Sequence, residues 1–189
     1  MPVDSNQVAN QAIQLLGDNQ PAVTGQAPNF DSSTAGIALS KLYGPVVQTV
    51  GRQFAWDMAR KTVALTPSGN TAPFPWSFEY LYPPNGIEVW QLQPGNLADV
   101  NNPLPINWNV ANAIIAGQQQ RVIWTNLSSA YATYNNNPNE NTWDALFREA
   151  VVRLLASELA MAVAGKPDAA QAYIESGSAF ENLGEQRED

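Results

Sequence analysis

The sequence predicts an α+β fold: a helical bundle built from both chain ends, with an antiparallel β-sheet region inserted between them. Three observations predict it. Apolar residues recur at helical spacing near both termini. The middle of the chain breaks into short runs punctuated by Pro, Gly and Asn, the pattern of strands and turns. The longest helical stripe, at 142–165, needs a partner to bury it, and the economical partner is the pair of helices from the other end. The expected organisation is a discontinuous helical unit, 1–56 with 139–189, and a β region at 57–138.

The elements follow in order. Asp4 or Ser5 caps a first helix whose apolar face is Val8, Ala12, Ile13, Leu15 and Leu16, with Gly17 as its stop. Asp31, Ser32, Ser33 and Thr34 offer caps for a second, carrying Ile37, Leu42, Val46, Val47 and Val50. Pro45 lies inside that pattern, and its missing N–H predicts a kink or a division after Tyr43. Residues 60–65 read as a strand. At 76–82, Trp76, Phe78, Tyr80 and Tyr82 alternate with Ser77, Glu79 and Leu81, and 87–93 reads as the returning strand of a hairpin through Pro83-Pro84-Asn85-Gly86. Further strands are expected at 106–110, 112–115, 121–125 and 130–134, and their short, regular spacing favours an antiparallel sheet or small sandwich. Asn141 with Asp144 resembles a cap for the helix at 142–165, and Pro167 opens a last helix lined by Ala169, Ala172, Tyr173, Phe180 and Leu183.

Composition narrows the chemistry. The chain has 189 residues, a net charge of −8, and neither cysteine nor histidine. Disulfides, Cys/His zinc sites and His-based acid–base catalysis are therefore excluded. Charged residues make up 14%, whereas Asn (19) and Gln (14) together outnumber all 26 charged side chains. Nine Lys and Arg on an acidic chain make a poor phosphate clamp. Residues 1–10 are polar and carry an acid, unlike a secretory leader. The apolar stretch 151–165 is interrupted by Arg153, Ser157 and Glu158, so no membrane span is expected.

Two chemical readings survive. If Tyr82 faces Ile87 in the expected hairpin, Glu79 and Glu88 lie diagonally on one face, at the spacing of glycosidase carboxylates. The solvated face of a half-exposed sheet gives the same alternation. Phe74, Trp76, Phe78, Tyr80 and Tyr82 would form a carbohydrate or peptide platform, or sheet core. Ser40-Lys41 carries no dyad, since neighbouring helical side chains diverge by about 100°. No phosphate loop or calcium loop is present. No catalytic, cofactor or metal residue is assigned, and no enzyme activity or cofactor is expected.

The order of motifs resembles the tail tubular protein A family of short-tailed bacteriophages, the head-to-tail adaptor or gatekeeper proteins. The likeness runs through Leu15-Leu16-Gly17, Phe54-Ala55-Trp56-Asp57-Met58-Ala59-Arg60, Pro73-Phe74-Pro75-Trp76-Ser77-Phe78-Glu79-Tyr80, Tyr82-Pro83, Val122-Ile123-Trp124-Thr125-Asn126 and the Ala- and Leu-rich helix at 143–164. The resemblance implies a virion structural protein at the head–tail junction, present in the host cytoplasm during assembly. It implies a homo-oligomeric ring, typically of twelve copies, between the portal protein and the tail nozzle (tail tubular protein B-like). Genomic DNA would pass through without specific binding. The runner-up is a carbohydrate-binding or glycan-hydrolysing tail component.

Residues 92–112, amide-rich with Pro94, Pro103 and Pro105, depart from the family pattern. The candidate partner contacts are Trp90, Leu92, Pro94 and Leu104 toward the tail, and the acidic end Glu185, Glu188 and Asp189 toward the portal.

Overall fold

A computed structural model describes residues 4–17, 21–53, 55–95, 106–137 and 139–164. The chain divides into two compact units, Met1–Met58 with Asn137–Asp189, and Ala59–Asn136. The described residues form three α-helices and eight strands in three small antiparallel sheets. The expected fold class, a helical bundle with an inserted sheet, is thereby corrected to a mixed α/β chain. Helical stripes at the ends weighed heavily in the expectation. The strands, however, build two sheets that pack on a core of their own, and a third sheet stands among the helices. The expected last helix lies outside the described residues.

In the first unit, α1 (Ser5–Leu15) is capped by Asp4, whose carboxylate accepts from the Gln7 N–H at 2.8 Å. α2 (Thr34–Gln53) and α3 (Ala145–Leu159) complete the helices, and α3 packs against both α1 and α2. α2 runs through Pro45 as one element. Lys41, Gly44, Pro45 and Gln48 are all exposed, so water can meet the carbonyl that the proline leaves without a donor. The cap of α3 is Asp144, which accepts from the Phe147 N–H at 2.7 Å, rather than Asn141, which lies in a preceding 3-10 turn. A π-helical turn, Ala160–Ala164, follows α3. The core centres on Phe147, fully buried, with the rings of Trp56 and Trp143 edge-on at 5.1 and 4.9 Å. Tyr43, also buried, donates its hydroxyl to Glu140 at 3.2 Å, and burial first, then that carboxylate, pushes its pKa up.

Two short strands, β1 (Gly25–Gln26) and β2 (Asn29–Phe30), form the smallest sheet. Amides hold the segment before it. Asn10 accepts from the Val23 N–H at 2.9 Å and donates to the Val23 carbonyl at 3.0 Å, as a neighbouring strand would. Asn6, one turn earlier, donates to the carbonyls of Val23 and Gly25. Asp31 closes the region: its carboxylate accepts from the hydroxyl and N–H of Ser33 and from the N–H of Thr24. The Ser33 hydroxyl contributes most, and together these donors lower the Asp31 pKa to about 2.

The second unit is a sandwich of two three-stranded sheets. One has the order β3 (Arg60–Ala64), β8 (Ala130–Asn136), β5 (Gly86–Pro94). The other has the order β4 (Phe78–Leu81), β7 (Gln118–Thr125), β6 (Trp108–Ile115). Tyr80 and Ile123 from one sheet meet Val89, Leu92, Ala132 and Tyr134 from the other. Residues 65–68 carry the chain from one sheet to the other. Leu65 N–H still bonds to the Ala130 carbonyl, whereas Thr66 and Ser68 bond to Leu81 and Glu79 beside β4. Two bulges in β5, at Ile87 and Trp90, shift its phase so that Ile87, Val89 and Leu92 all turn inward. β6 and β7 join through Ala116 and Gly117, both at positive φ, the twist that a two-residue turn between strands requires.

Candidate functional site

The hairpin expected between 76–82 and 87–93 does not form. β4 pairs with β7 and β5 pairs with β8, so the two strands belong to different sheets. Pro83 and Pro84 each lack the donor that a tight ladder needs at the turn, and the chain leaves one sheet there for the other. Glu79 and Glu88 are therefore not cross-strand neighbours, and the hairpin face expected to hold both carboxylates is not built.

Glu79 has another role. It is 6% exposed, with no cation as a bonding partner. Its Oε2 accepts from Trp124 Nε1 at 2.8 Å, and its Oε1 accepts from Ser68 Oγ at 2.7 Å and Asn70 Nδ2 at 3.0 Å. Burial pushes its pKa up, and the three donors more than offset that, leaving the carboxyl below its ordinary value. The charge thus stays on, and it fastens residues 68–70 onto the sheet. Asn70 extends the fastening by donating to the Ile114 carbonyl at 3.3 Å.

The pinned segment continues into the most exposed apolar side chain on the described surface. Phe74 is 98% exposed. It stands between Pro73 and Pro75, and the turn is closed by the Trp76 N–H donating to the Pro73 carbonyl at 2.9 Å. Ser77 N–H bonds to the Asn126 side chain at 2.9 Å, which fixes the other end of the loop. A phenyl ring held on a stiff backbone loses little freedom when a partner covers it, and full burial contributes about 1.5–3 kcal/mol.

The aromatic platform is only partly assembled. Tyr80 is buried in the core and donates its hydroxyl to the Leu127 carbonyl at 2.9 Å, which withdraws it from any surface. Phe78 is 37% exposed, and Tyr82 carries the Arg121 guanidinium over its ring at 3.8 Å.

Trp90 sits in the second β5 bulge, half-buried, with its indole N–H enclosed and without an acceptor among the described residues. Leu92 is a correction: at 2% exposure it belongs to the core and offers no surface to a partner. Pro94 ends β5 opposite Ala130 and is half-buried. Leu104, Glu185, Glu188 and Asp189 lie outside the described residues. Sequence reasoning missed the exposure of Phe74, grouping it with the sheet aromatics. The flanking prolines carry the signal, because neither can donate to a ladder. It also missed Trp124 as a donor, which only the β4–β7 register reveals.

Among the described residues no group of three Asp or Glu is arranged to hold a metal, and no helix is long and apolar enough to cross a membrane. No protein-family model matches the chain, and no curated protein matches it.

Proposed function

We propose that this chain is a head-to-tail adaptor of a short-tailed bacteriophage, one copy of a ring between the portal protein and the tail nozzle. The observation that carries the reading is the unlike character of the two units. Residues 1–58 with 137–189 hold both chain ends and 14 acidic against six basic residues, the whole net charge of −8. Residues 59–136 hold three of each and are neutral. The neutral unit presents Phe74 on a pinned loop. Two surfaces of different chemistry on one chain suit a part that joins two different neighbours. The acidic unit suits a conduit along which DNA slides without being held, since duplex phosphate binds to cationic surfaces.

The resemblance supports the same reading through the order of its motifs from Leu15 to the helix at 143–164. The test is reconstitution. Purified chain mixed with the cognate portal should give a stoichiometric ring seen end-on by electron microscopy. A portal that stays bare at saturating adaptor concentration refutes the assignment.

A further inference from the structure

Sheet edges are normally guarded, because unpaired N–H and C=O groups invite another strand. In the second unit, the outer edge of β4 is covered by residues 66–68. β3 is short and carries Arg60 and Lys61. β5 has two bulges, Glu88 and Pro94. Among the described residues, β6 has none of these devices. Its eight residues, Trp-Asn-Val-Ala-Asn-Ala-Ile-Ile, hold no charge and no proline, its register with β7 runs unbroken, and none of its residues is buried.

The direction of the free groups follows from the ladder. Tyr82 N–H bonds to the Arg121 carbonyl, so the odd-numbered residues of β7 point toward β4 and the even-numbered ones toward β6. Their partners on β6 are Asn109, Ala111 and Ala113. The backbone groups of Trp108, Val110 and Asn112 therefore point away from the sheet, and no partner for them stands among the described residues. Ile114 points the same way, and its carbonyl is the one taken by Asn70.

We propose that the β6 edge binds a second copy of this chain, antiparallel and two-fold symmetric about Ala111, joining two three-stranded sheets into one of six. Charge favours this occupant. Residues 59–136 carry three acidic and three basic side chains and β6 carries none, so no net charge on this unit opposes a second copy of it, and none attracts a charged partner instead. The register is self-complementary. Trp108, whose half-buried ring packs on its own core, stands at the end of the paired stretch opposite Ile114 of the second copy, a side chain 71% exposed in the single chain whose carbonyl already accepts from Asn70. Val110 meets Asn112, and Ala111 meets its own equivalent. A two-fold contact closes on itself, so it describes the protein before any ring forms, and it stands independently of the adaptor reading. Pairing one strand buries well under about 1,200 Å², which makes the dimer weak, in the micromolar to millimolar range.

The chain has no cysteine, so single cysteines report cleanly. In this register the two Ala111 Cα atoms form a pair without mutual hydrogen bonds, about 4.5 Å apart and within disulfide reach. The two Ala113 Cα atoms are four residues out of step, about 14 Å apart at about 3.4 Å per residue. Under mild oxidation the full-length Ala111→Cys protein should give a disulfide dimer, and Ala113→Cys should not. Sedimentation of the wild type should shift toward dimer mass with concentration. Asn112→Pro, at an exposed position, removes an outward N–H without touching the core, and should remain monomeric with its near-ultraviolet dichroism unchanged. Equal crosslinking of the two cysteine variants, or none from either, overturns the proposal, as does a wild type that stays monomeric into the millimolar range. Because no portal is present, failure here leaves the ring test standing, and failure there leaves this one.

Discussion

Replacing Glu79 with Gln is the sharpest single perturbation that the β unit offers. The carboxylate is 6% exposed and receives three donors, two on Oε1 and one on Oε2. An amide of the same shape keeps one acceptor. With its oxygen toward Ser68 and Asn70, its NH₂ faces the Trp124 indole N–H, and two donors confront each other. Turned the other way, it confronts Ser68 and Asn70 instead. Asn70 is exposed and Ser68 half-buried, so those two can recover water, and the half-buried Trp124 donor is the more costly one to strand. Losing a charge-assisted bond and leaving a donor without an acceptor costs about 1.5–3 kcal/mol.

For a chain of this length, about 2 kcal/mol lowers the melting midpoint by about 4–8 °C. Thermal unfolding of the full-length protein, followed by circular dichroism at neutral pH, measures it. The pH dependence supplies a second arm. The folded-state pKa of Glu79 is depressed, so its contribution is complete above the ordinary value of 4.5 and is lost as pH falls below it. Glu79→Gln should remove that part of the acid limb. A variant that melts with the wild type at neutral pH and shares its acid profile would refute the account of the carboxylate as a latch.

Four further outcomes are expected. Asn10→Ala removes the side chain that bonds both the N–H and the carbonyl of Val23, so stability should fall by about 1–3 kcal/mol, with faster amide exchange at Val23. Asp31→Asn should flatten the stability profile at its most acidic end, because the depressed carboxylate contributes fully above pH 3.8 and loses its effect as pH falls through about 2. Phe147→Ala empties a fully buried site between two tryptophans and should cost about 3–5 kcal/mol, read from the urea midpoint. Phe74→Ala should leave stability within about 0.5 kcal/mol, since the ring touches mostly water, and under the proposed adaptor function it should weaken assembly with the portal or nozzle in a pull-down.

The elements were more legible than their partners. The strand expected at 60–65 is observed at Arg60–Ala64, and the helix expected at 142–165 contains α3 and the π-helical turn. Period-2 and period-3.6 patterns are local, and each strand or helix carries its own. The pairing of 76–82 with 87–93 was misread, because neighbours in sequence are the default choice and two prolines in the turn look like a long loop. Only the β7 register shows that 78–81 has another partner. Strand spacing left a single antiparallel sheet and a small sandwich both open, since single strands do not announce whether two sheets will close on one core. Amides were legible as an excess but not as tools. Asn6, Asn10, Asn70 and Asn126 each bond inside the chain, to backbone or to Glu79, so part of the excess is internal fastening.

The sequence by itself determined what chemistry is out of reach, through the missing His and Cys, and where the charge lies, because composition and net charge do not depend on how a chain folds. It also determined the local periodicities. The tertiary structure decided which side chains face each other and which face water. It buried Glu79 among three donors, turned Leu92 and Tyr80 into the core, left Phe74 in the open, and left the β6 edge without a strand partner among the described residues. Exposure and partnership are properties of the packed chain, set by strand register and by where the chain crosses between sheets, and no residue carries them alone.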